Sequence, residues 1–465
     1  MTSLASLPEA AAALRFPAGF RWGVATAAYQ IEGAVAEDGR APSIWDTYAH
    51  TPGLVDNGHT GDIACDHYHR YADDVAIMRS LGVGTYRFSI AWPRVRPDGS
   101  GPVNPRGLDF YDRLVDQLLA AGIAPMATLY HWDLPQNLED RGGWTARETA
   151  YHFADYAAAV FKRLGDRVPT WTTLNEPWCS AFLGYCAGAH APGRKEPAAS
   201  FRAAHHLLLA HGLSARALRS AGAREVSLTV NLTTVVPRDP ADRGDREAAW
   251  LVDGLHNRLF LDPVLLGRYP ADILAHADRF GGLDYIRPGD AGIVNVPLDF
   301  LGVNYYMPTF VAAQVGVESS DRFPGTEGVL FLEPDLPRTG MDWPIDAGSF
   351  HDMLVRLGAD YPGVPLMVTE NGASFPDVVV GGSVDDAQRL GFIADHLRAV
   401  HQAIAAGVDL RGYLAWSLLD NFEWAYGYDK RFGLVHVDYA TQERRLKASA
   451  HWYREVIAAN AVPAS

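Results

Sequence analysis

Two short segments each set a glutamate where it could do chemistry. Thr173-Leu174-Asn175-Glu176-Pro177 and Val368-Thr369-Glu370-Asn371-Gly372 close apolar, β-rich runs with a carboxylate. Glutamate is neither a favoured strand residue nor a turn former, so finding it at two such exits asks for more than local geometry. Either one alone could serve as a structural ion-pair partner. Together, with no metal-ligand motif nearby, they suit acid–base or nucleophilic work on an acetal. Other polar residues end β-like runs in the same manner: His131 after Tyr130, and Asn304 and Tyr306 on either side of Tyr305. Asn175 by itself would read as a turn former.

The elements that must position these residues alternate. Runs at Phe20–Ala27, Thr85–Ile90, Ile123–Tyr130, Thr170–Asn175, Glu225–Leu232, Leu298–Tyr305, Pro365–Glu370 and Leu410–Leu418 are mostly continuous in apolar character, as in strands covered on both faces. Amphipathic stretches fall between them: Tyr68–Leu81, Leu108–Ala121, Ala146–Leu164, Phe201–Ser220, Arg246–Phe260, Ser349–Leu357, Asp385–Ala406 and Ala448–Ala459. Gly82, Gly122 and Gly165 supply stops for the first three. Eight strand–helix units predict an α/β protein built as a single (β/α)8 barrel, with its active site at the C-terminal ends of the strands. A doubly wound sheet is the alternative, but no GxGxxG joins an early strand to a helix. No Ser/Gly-rich linker divides the chain. Residues 1–15 are expected to form a flexible N-terminal extension and residues 16–465 one catalytic domain.

The chain closely resembles glycoside hydrolase family 1 from Phe16 to about Tyr453. Seven segments carry the resemblance, in order. The first three are Phe20 to Gly33 (FRWGVATAAYQIEG), Tyr86 to Arg94 (YRFSIAWPR) and Leu129 to Pro135 (LYHWDLP). The others are Thr173 to Pro177, Asn304-Tyr305-Tyr306, Thr369 to Gly372, and Trp416 to Trp424 (WSLLDNFEW). The resemblance implies a retaining β-glycosidase, most readily a β-glucosidase acting on terminal non-reducing β-D-glucosyl residues of cello-oligosaccharides or aryl and alkyl glucosides. β-Galactosidase, β-fucosidase and glycosyl-transfer side activities are expected with it.

By the same resemblance, Glu370 is the nucleophile and Glu176 the general acid/base, with Arg87 and Tyr306 supporting the nucleophile. Gln30, His131, Asn175, Asn304, Trp343, Trp416, Glu423 and Trp424 match the substrate-binding set, Trp416 as the plate beneath the sugar. An acidic Glu423 would repel a phosphorylated 6-position, so an unphosphorylated sugar is expected. Trp178, Phe182, Tyr185, Trp343 and Phe432 follow strand ends and could form an aromatic leaving-group entrance or simply pack loops. A bell-shaped pH profile on the acidic side of neutral is expected.

Composition narrows the rest. Of 465 residues 48% are hydrophobic and 20% charged, too apolar for a disordered chain. A net charge of −15 argues against binding nucleic acid or anionic membranes. Twelve Trp and 20 Tyr serve either a core or flat faces for a ring-shaped ligand. Cys65, Cys179 and Cys186 form no disulfide or CxxC pattern, and reduced thiols point to the cytoplasm. No basic leader precedes the first apolar run and no stretch is long enough to span a membrane. Asp66-His67-Tyr68-His69 reads as structural, and neither metal nor cofactor is expected. Asn231-Leu232-Thr233 matches a glycosylation sequon at the end of a β-like run, where it carries little weight. A sugar-binding barrel without catalysis and a metal-dependent barrel hydrolase remain the alternatives.

Overall fold

Segments such as Thr85-Tyr86-Arg87-Phe88-Ser89 and Leu366 to Asn371 are buried at every position, so both faces of each strand must be covered. A computed structural model describing residues 13–464 shows how this is achieved. Eight strands close a parallel barrel: β1 (Arg21–Ala25), β2 (Thr85–Ser89), β3 (Ala124–Tyr130), β4 (Thr170–Asn175), β5 (Glu225–Leu232), β6 (Phe300–Tyr305), β7 (Leu366–Asn371) and β8 (Leu410–Trp416). Each pairs with its sequence neighbours, and β8 closes onto β1 through Gly412↔Arg21 to Trp416↔Ala25. All eight runs read from the sequence are barrel strands.

Helices α1 (His67–Leu81), α2 (Pro105–Ala120), α3 (Glu148–Leu164), α4 (Pro197–Ser220), α5 (Arg243–Asp253), α6 (Ala347–Asp360), α7 (Ala387–Ala405) and α8 (Ala448–Ala459) follow the strands in turn. Gly82 and Gly122 adopt the left-handed backbone expected of helix stops, with φ of 73° and 76°; Gly165 stays right-handed at −67°. The helix expected over Arg246–Phe260 is interrupted. After Asp253 the turn widens through Gly254–Arg258 before helix resumes at Leu259–Leu265. Arg258 is held there by Asp253 and Asp272, at 3.1 and 2.8 Å.

Three features have no counterpart in the sequence reading. Val235–Pro237, Thr309–Ala313 and Val329–Leu332 form a small sheet outside the barrel. Cys179–Cys186 is a wide helical turn, closed by the Ala187 amide on the Phe182 carbonyl, where a loop was expected. Leu14 and Arg15, assigned above to the extension, pair antiparallel with Val462 and Ala461. Residues 1–12 of that extension lie outside the described residues.

Register gathers the functional residues on one rim. Glu370 lies opposite Asn304, Asn304 opposite Asn231, and Asn175 opposite Thr229. Gly372 lets the exits of β7 and β8 close together: a Cβ there would stand 1.8 Å from the Trp416 carbonyl oxygen.

Candidate active site

The C-terminal mouth of the barrel holds a cavity of about 390 Å³. His131, Glu176, Tyr306, Trp343, Glu370, Trp416, Glu423 and Trp424 line it. Arg87, Asn175, Asn304 and Gln30 are completely buried and hydrogen-bond to those residues.

Arg87 on β2 organises the floor. Its Nη1 donates to Glu370 Oε1 and its Nη2 to Asn175 Oδ1, both at 2.6 Å. The Tyr306 hydroxyl donates to Glu370 Oε2 at 2.6 Å, so each oxygen of Glu370 has its own donor. Asn304 Nδ2 donates to Glu176 Oε1 at 2.7 Å and to Asn175 Oδ1 at 3.1 Å. The Thr369 hydroxyl donates to Asn304 Oδ1 at 2.8 Å and fixes that amide's orientation. The remaining Glu176 oxygen receives the Cys179 thiol at 3.2 Å. One hydrogen-bonded chain therefore runs from Glu370 through Arg87, Asn175 and Asn304 to Glu176.

The electrostatics of the two glutamates differ. Burial pushes Glu176 up to about 8, and the neighbouring charge of Glu370 adds to it; only a neutral amide, a thiol and the more distant Arg87 oppose. Burial also raises Glu370, but a guanidinium and a phenol bonded directly to it favour its anion. When the pair shares one proton, Glu176 holds it. Glu423 is likewise raised to about 8, by burial and then by both glutamates. His131 is held well below the usual histidine range by burial and then by Arg87. Its Nε2, 2.9 Å from Asn175 Nδ2, accepts from that amide, so the neutral ring carries its proton on Nδ1.

The backbone is strained where the strands end. Trp132, Glu176 and Trp424 have φ of 77°, 48° and 51°, a region costing non-glycine residues of order 1–3 kcal/mol each. Each aims a side chain into the cavity wall. The loop carrying Glu423 and Trp424 is pinned at Asp420, which takes Lys447 at 2.6 Å and Arg431 at 2.7 Å. Trp424 packs on Trp132 and Trp45, with ring centroids 4.5 and 4.6 Å apart. Trp416 stacks on His131 at 5.8 Å. Buried polar atoms of the site without a protein partner include Gln30 Oε1, His131 Nδ1 and Arg87 Nε.

A paired-carboxylate barrel mouth of this kind has close relatives. Residues 12–462 match Glycosyl hydrolase family 1. The chain belongs to that family. A thermostable β-glucosidase B from Thermobispora bispora is 56% identical, across 98% of this chain and 93% of that protein. A bifunctional β-D-glucosidase/β-D-fucosidase from Bifidobacterium breve is 52% identical, across 95% and 98%. The crystal structure of a psychrophilic β-glucosidase from Micrococcus antarcticus superposes with a TM-score of 0.93 at 51% identity, covering 96% of this chain and 98% of that one.

In this member of the family the aromatic entrance departs from expectation. Trp178, Trp343 and Phe432 line the cavity, whereas Phe182 and Tyr185 do not. Phe182 is fully buried between Trp178, Phe201 and Phe260. Tyr185 is tied to Glu139 and accepts the Trp144 amide. Both sit on the wide turn Cys179–Cys186, which presents Cys179 and Leu183 to the cavity and packs against α4.

Several lining residues escaped the sequence reading. Asn231, taken there as part of a sequon, is in the wall and hydrogen-bonds His256 at 3.2 Å. Its place at the exit of β5, the same kind of signal as at β3, β4 and β6, was the available clue. His256 reaches the wall through the widened turn after α5 and stacks on Trp178 at 4.2 Å. Arg322 and Phe323 come from the irregular chain after β6, which has no periodicity to read. His67 and His69 lie elsewhere: His67 bonds Asp74 at 2.8 Å, and His69 bonds Asp66 and Glu37.

Proposed function

We propose that this chain is a retaining β-glucosidase that cleaves unphosphorylated β-D-glucosides by double displacement. The observation that carries the reading is the asymmetry of the two glutamates: Glu370 has a donor on each oxygen, one of them cationic, while Glu176 has neutral partners beside the same cavity. The names of its relatives from Thermobispora bispora and Bifidobacterium breve support the substrate class, and the latter supports a β-fucosidase side activity.

In the first step the Glu370 carboxylate attacks the anomeric carbon. The bond to the leaving oxygen breaks, and Glu176 gives that oxygen its proton. A covalent glycosyl ester remains on Glu370, which is now uncharged. The like charge that helped raise Glu176 is gone, so its proton affinity falls just when it is needed as a base. Glu176 then takes a proton from water, the water oxygen bonds to the anomeric carbon, and the ester bond to Glu370 breaks. β-Glucose leaves with its configuration kept. An alcohol in place of water gives glycosyl transfer by the same route.

The other residues hold the sugar. Asn175 keeps one amide hydrogen beyond its bond to His131 and meets the 2-hydroxyl, a contact that tightens at the oxocarbenium-like transition state. Gln30, His131, Glu423 and Trp424 take other hydroxyls, and Trp416 is the plate under the ring. Asn304 holds Glu176, while Trp343 stands at the entrance. Residues 16–465 act as one catalytic unit in this reading. Among the described residues no helix is long and apolar enough to cross a membrane. Cys65, Cys179 and Cys186 are free and buried, in keeping with a cytoplasmic enzyme, which cell fractionation would test.

The deciding experiment is incubation with a 2-deoxy-2-fluoro β-glucosyl donor, followed by peptide mass mapping and NMR of the first product from an ordinary glucoside. The adduct should map to Glu370 and the first glucose should be the β-anomer. An α-anomer as first product, or glucose binding with no adduct, would overturn the reading.

A further inference from the structure

Arg322 is the one lysine or arginine among the described residues lining the cavity. The acids there are Asp56, Glu176, Glu370 and Glu423. The lining histidines are neutral: burial holds His131 well below the usual range and takes His190 and His256 to about 3. Arg322 is therefore the single fixed cation of the cavity wall. Among the described residues no carboxylate pairs with its guanidinium, whereas Arg338 further along the same irregular segment pairs with Glu333 and Asp342.

A well-braced turn carries it. Ser319 Oγ accepts the Gly325 and Thr326 amides at 2.9 and 3.2 Å. Thr326 Oγ1 donates to the Phe323 carbonyl at 2.6 Å and accepts the Ser320 amide at 3.1 Å. The Arg322 amide itself donates to Ser320 Oγ at 3.3 Å. This turn seats Phe323 against Trp178 and His256, with centroids 5.4 and 5.9 Å apart. Trp178 follows Glu176 by two residues, so Arg322 stands on the side where the acid/base carboxyl meets the leaving group. Its charge reaches inward, adding to the burial that depresses His190. Asp56 is not paired with Arg322, and its neighbour Asn57 is tied to Asp429 at 2.9 Å, on the loop that follows Glu423 and Trp424.

We propose that Arg322 makes the leaving-group side selective for aryl β-glucosides whose aglycone carries an anionic group, a carboxylate, remote from the glycosidic oxygen. The proposal rests on the β-glucosidase reading above and names its substrate class. Trp178, Phe323, Trp343 and Phe432 line the cavity and give it aromatic surface to contact a flat ring. The guanidinium fork matches a carboxylate and keeps its charge at every working pH. Without it, the carboxylates of Glu370 and Asp56 in a chain of net charge −15 would repel such a substrate.

The test compares 4-carboxyphenyl and 4-carbamoylphenyl β-D-glucoside, alike in size and different in charge, with wild-type enzyme and Arg322→Gln. The wild-type kcat/KM ratio (carboxylate over amide) divided by the variant's ratio cancels the intrinsic difference between the leaving groups. Arg322 is exposed, so the expected quotient is about two- to fivefold at low salt, the size of a solvent-accessible ion pair. It should shrink in about 0.5 M salt. Arg322→Glu should raise the quotient beyond the Gln value. A quotient of one overturns the proposal. A second measurement needs no variant: 4-hydroxybenzoate should inhibit wild-type hydrolysis of phenyl β-glucoside more strongly than 4-hydroxybenzamide, and equal inhibition counts against the proposal. If neither glucoside is cleaved, the β-glucosidase reading has failed instead, an outcome distinct from cleavage of both without regard to Arg322.

Discussion

On the floor of the cavity, Arg87, Asn175 and Asn304 are completely buried and bonded to one another or to the two glutamates. At the rim, Trp343 is half-buried, Arg322 and Asp56 are exposed, and Trp343 meets Tyr306 and Phe432 through ring contacts. A buried charged network is interdependent: removing one partner leaves another charged or polar group unsatisfied, which costs several kcal/mol. Ring contacts and an exposed cation carry no such penalty. Under the proposed function, the floor enforces one sugar geometry and one proton arrangement, while the rim ranks leaving groups by flatness and charge. Left-handed backbone occurs in both regions: at Trp132, Glu176 and Trp424, and at Asn57 and Asp342 beside the rim residues Asp56 and Trp343.

The sharpest way to break this contrast is Glu370→Ala. Its kcat/KM should fall by about 10⁴-fold or more, with added azide restoring turnover as the α-glucosyl azide seen by NMR. Full activity in this variant would end the assignment of the floor. Glu176→Gln should lose about 10²- to 10⁴-fold on alkyl glucosides and less on aryl glucosides with acidic leaving groups, which need no proton. In wild type, the basic limb of kcat/KM should fall near pH 8, because that is where the buried Glu176 loses its proton. The limb should vanish in Glu176→Gln.

Tyr306→Phe removes one of two donors that favour the Glu370 anion, so the acidic limb should move to higher pH. A roughly 10- to 100-fold loss is expected, the worth of a hydrogen bond to a charged group. An unmoved limb would mean that Arg87 alone sets the charge of Glu370. At the rim, Trp343→Ala should change kcat/KM for aryl glucosides by about 10-fold or less, mainly in KM. A loss as large as that of Tyr306→Phe would erase the distinction between rim and floor.

The smallest effect is on stability. A carboxyl whose folded pKa is raised binds more protons folded than unfolded, so its contribution falls as pH climbs from about the ordinary glutamate value toward 8. Replacing Glu176 by Gln removes that penalty. At pH 8 the Tm should rise by roughly 1–4 °C over wild type, and the gap should narrow at pH 5. A gap independent of pH would detach it from Glu176's proton.

Much of this was legible along the chain. All eight strands announced themselves because a strand covered on both faces must be apolar throughout, and Glu176, Glu370, His131 and Asn304 stood out as polar residues ending such runs. Residues off the strands were harder. Tyr185 and Phe182 look like entrance aromatics, but the wide turn Cys179–Cys186 carries them into the core. Asn231 reads as part of a sequon, a common accident, and His256 falls inside a helical stretch whose period does not reveal a widened turn.

The sequence alone determined the barrel, the family and the place of two glutamates at strand exits, because hydrophobic runs and short motifs are properties of neighbours along the chain. The tertiary structure decided which glutamate keeps the proton. That depends on Arg87 and Tyr306 reaching Glu370 from other strands while Asn304 and Cys179 reach Glu176. It also decided that, among the described residues, Arg322 is the one lysine or arginine lining the cavity. Charge and burial act through space, and only the closed barrel sets those distances.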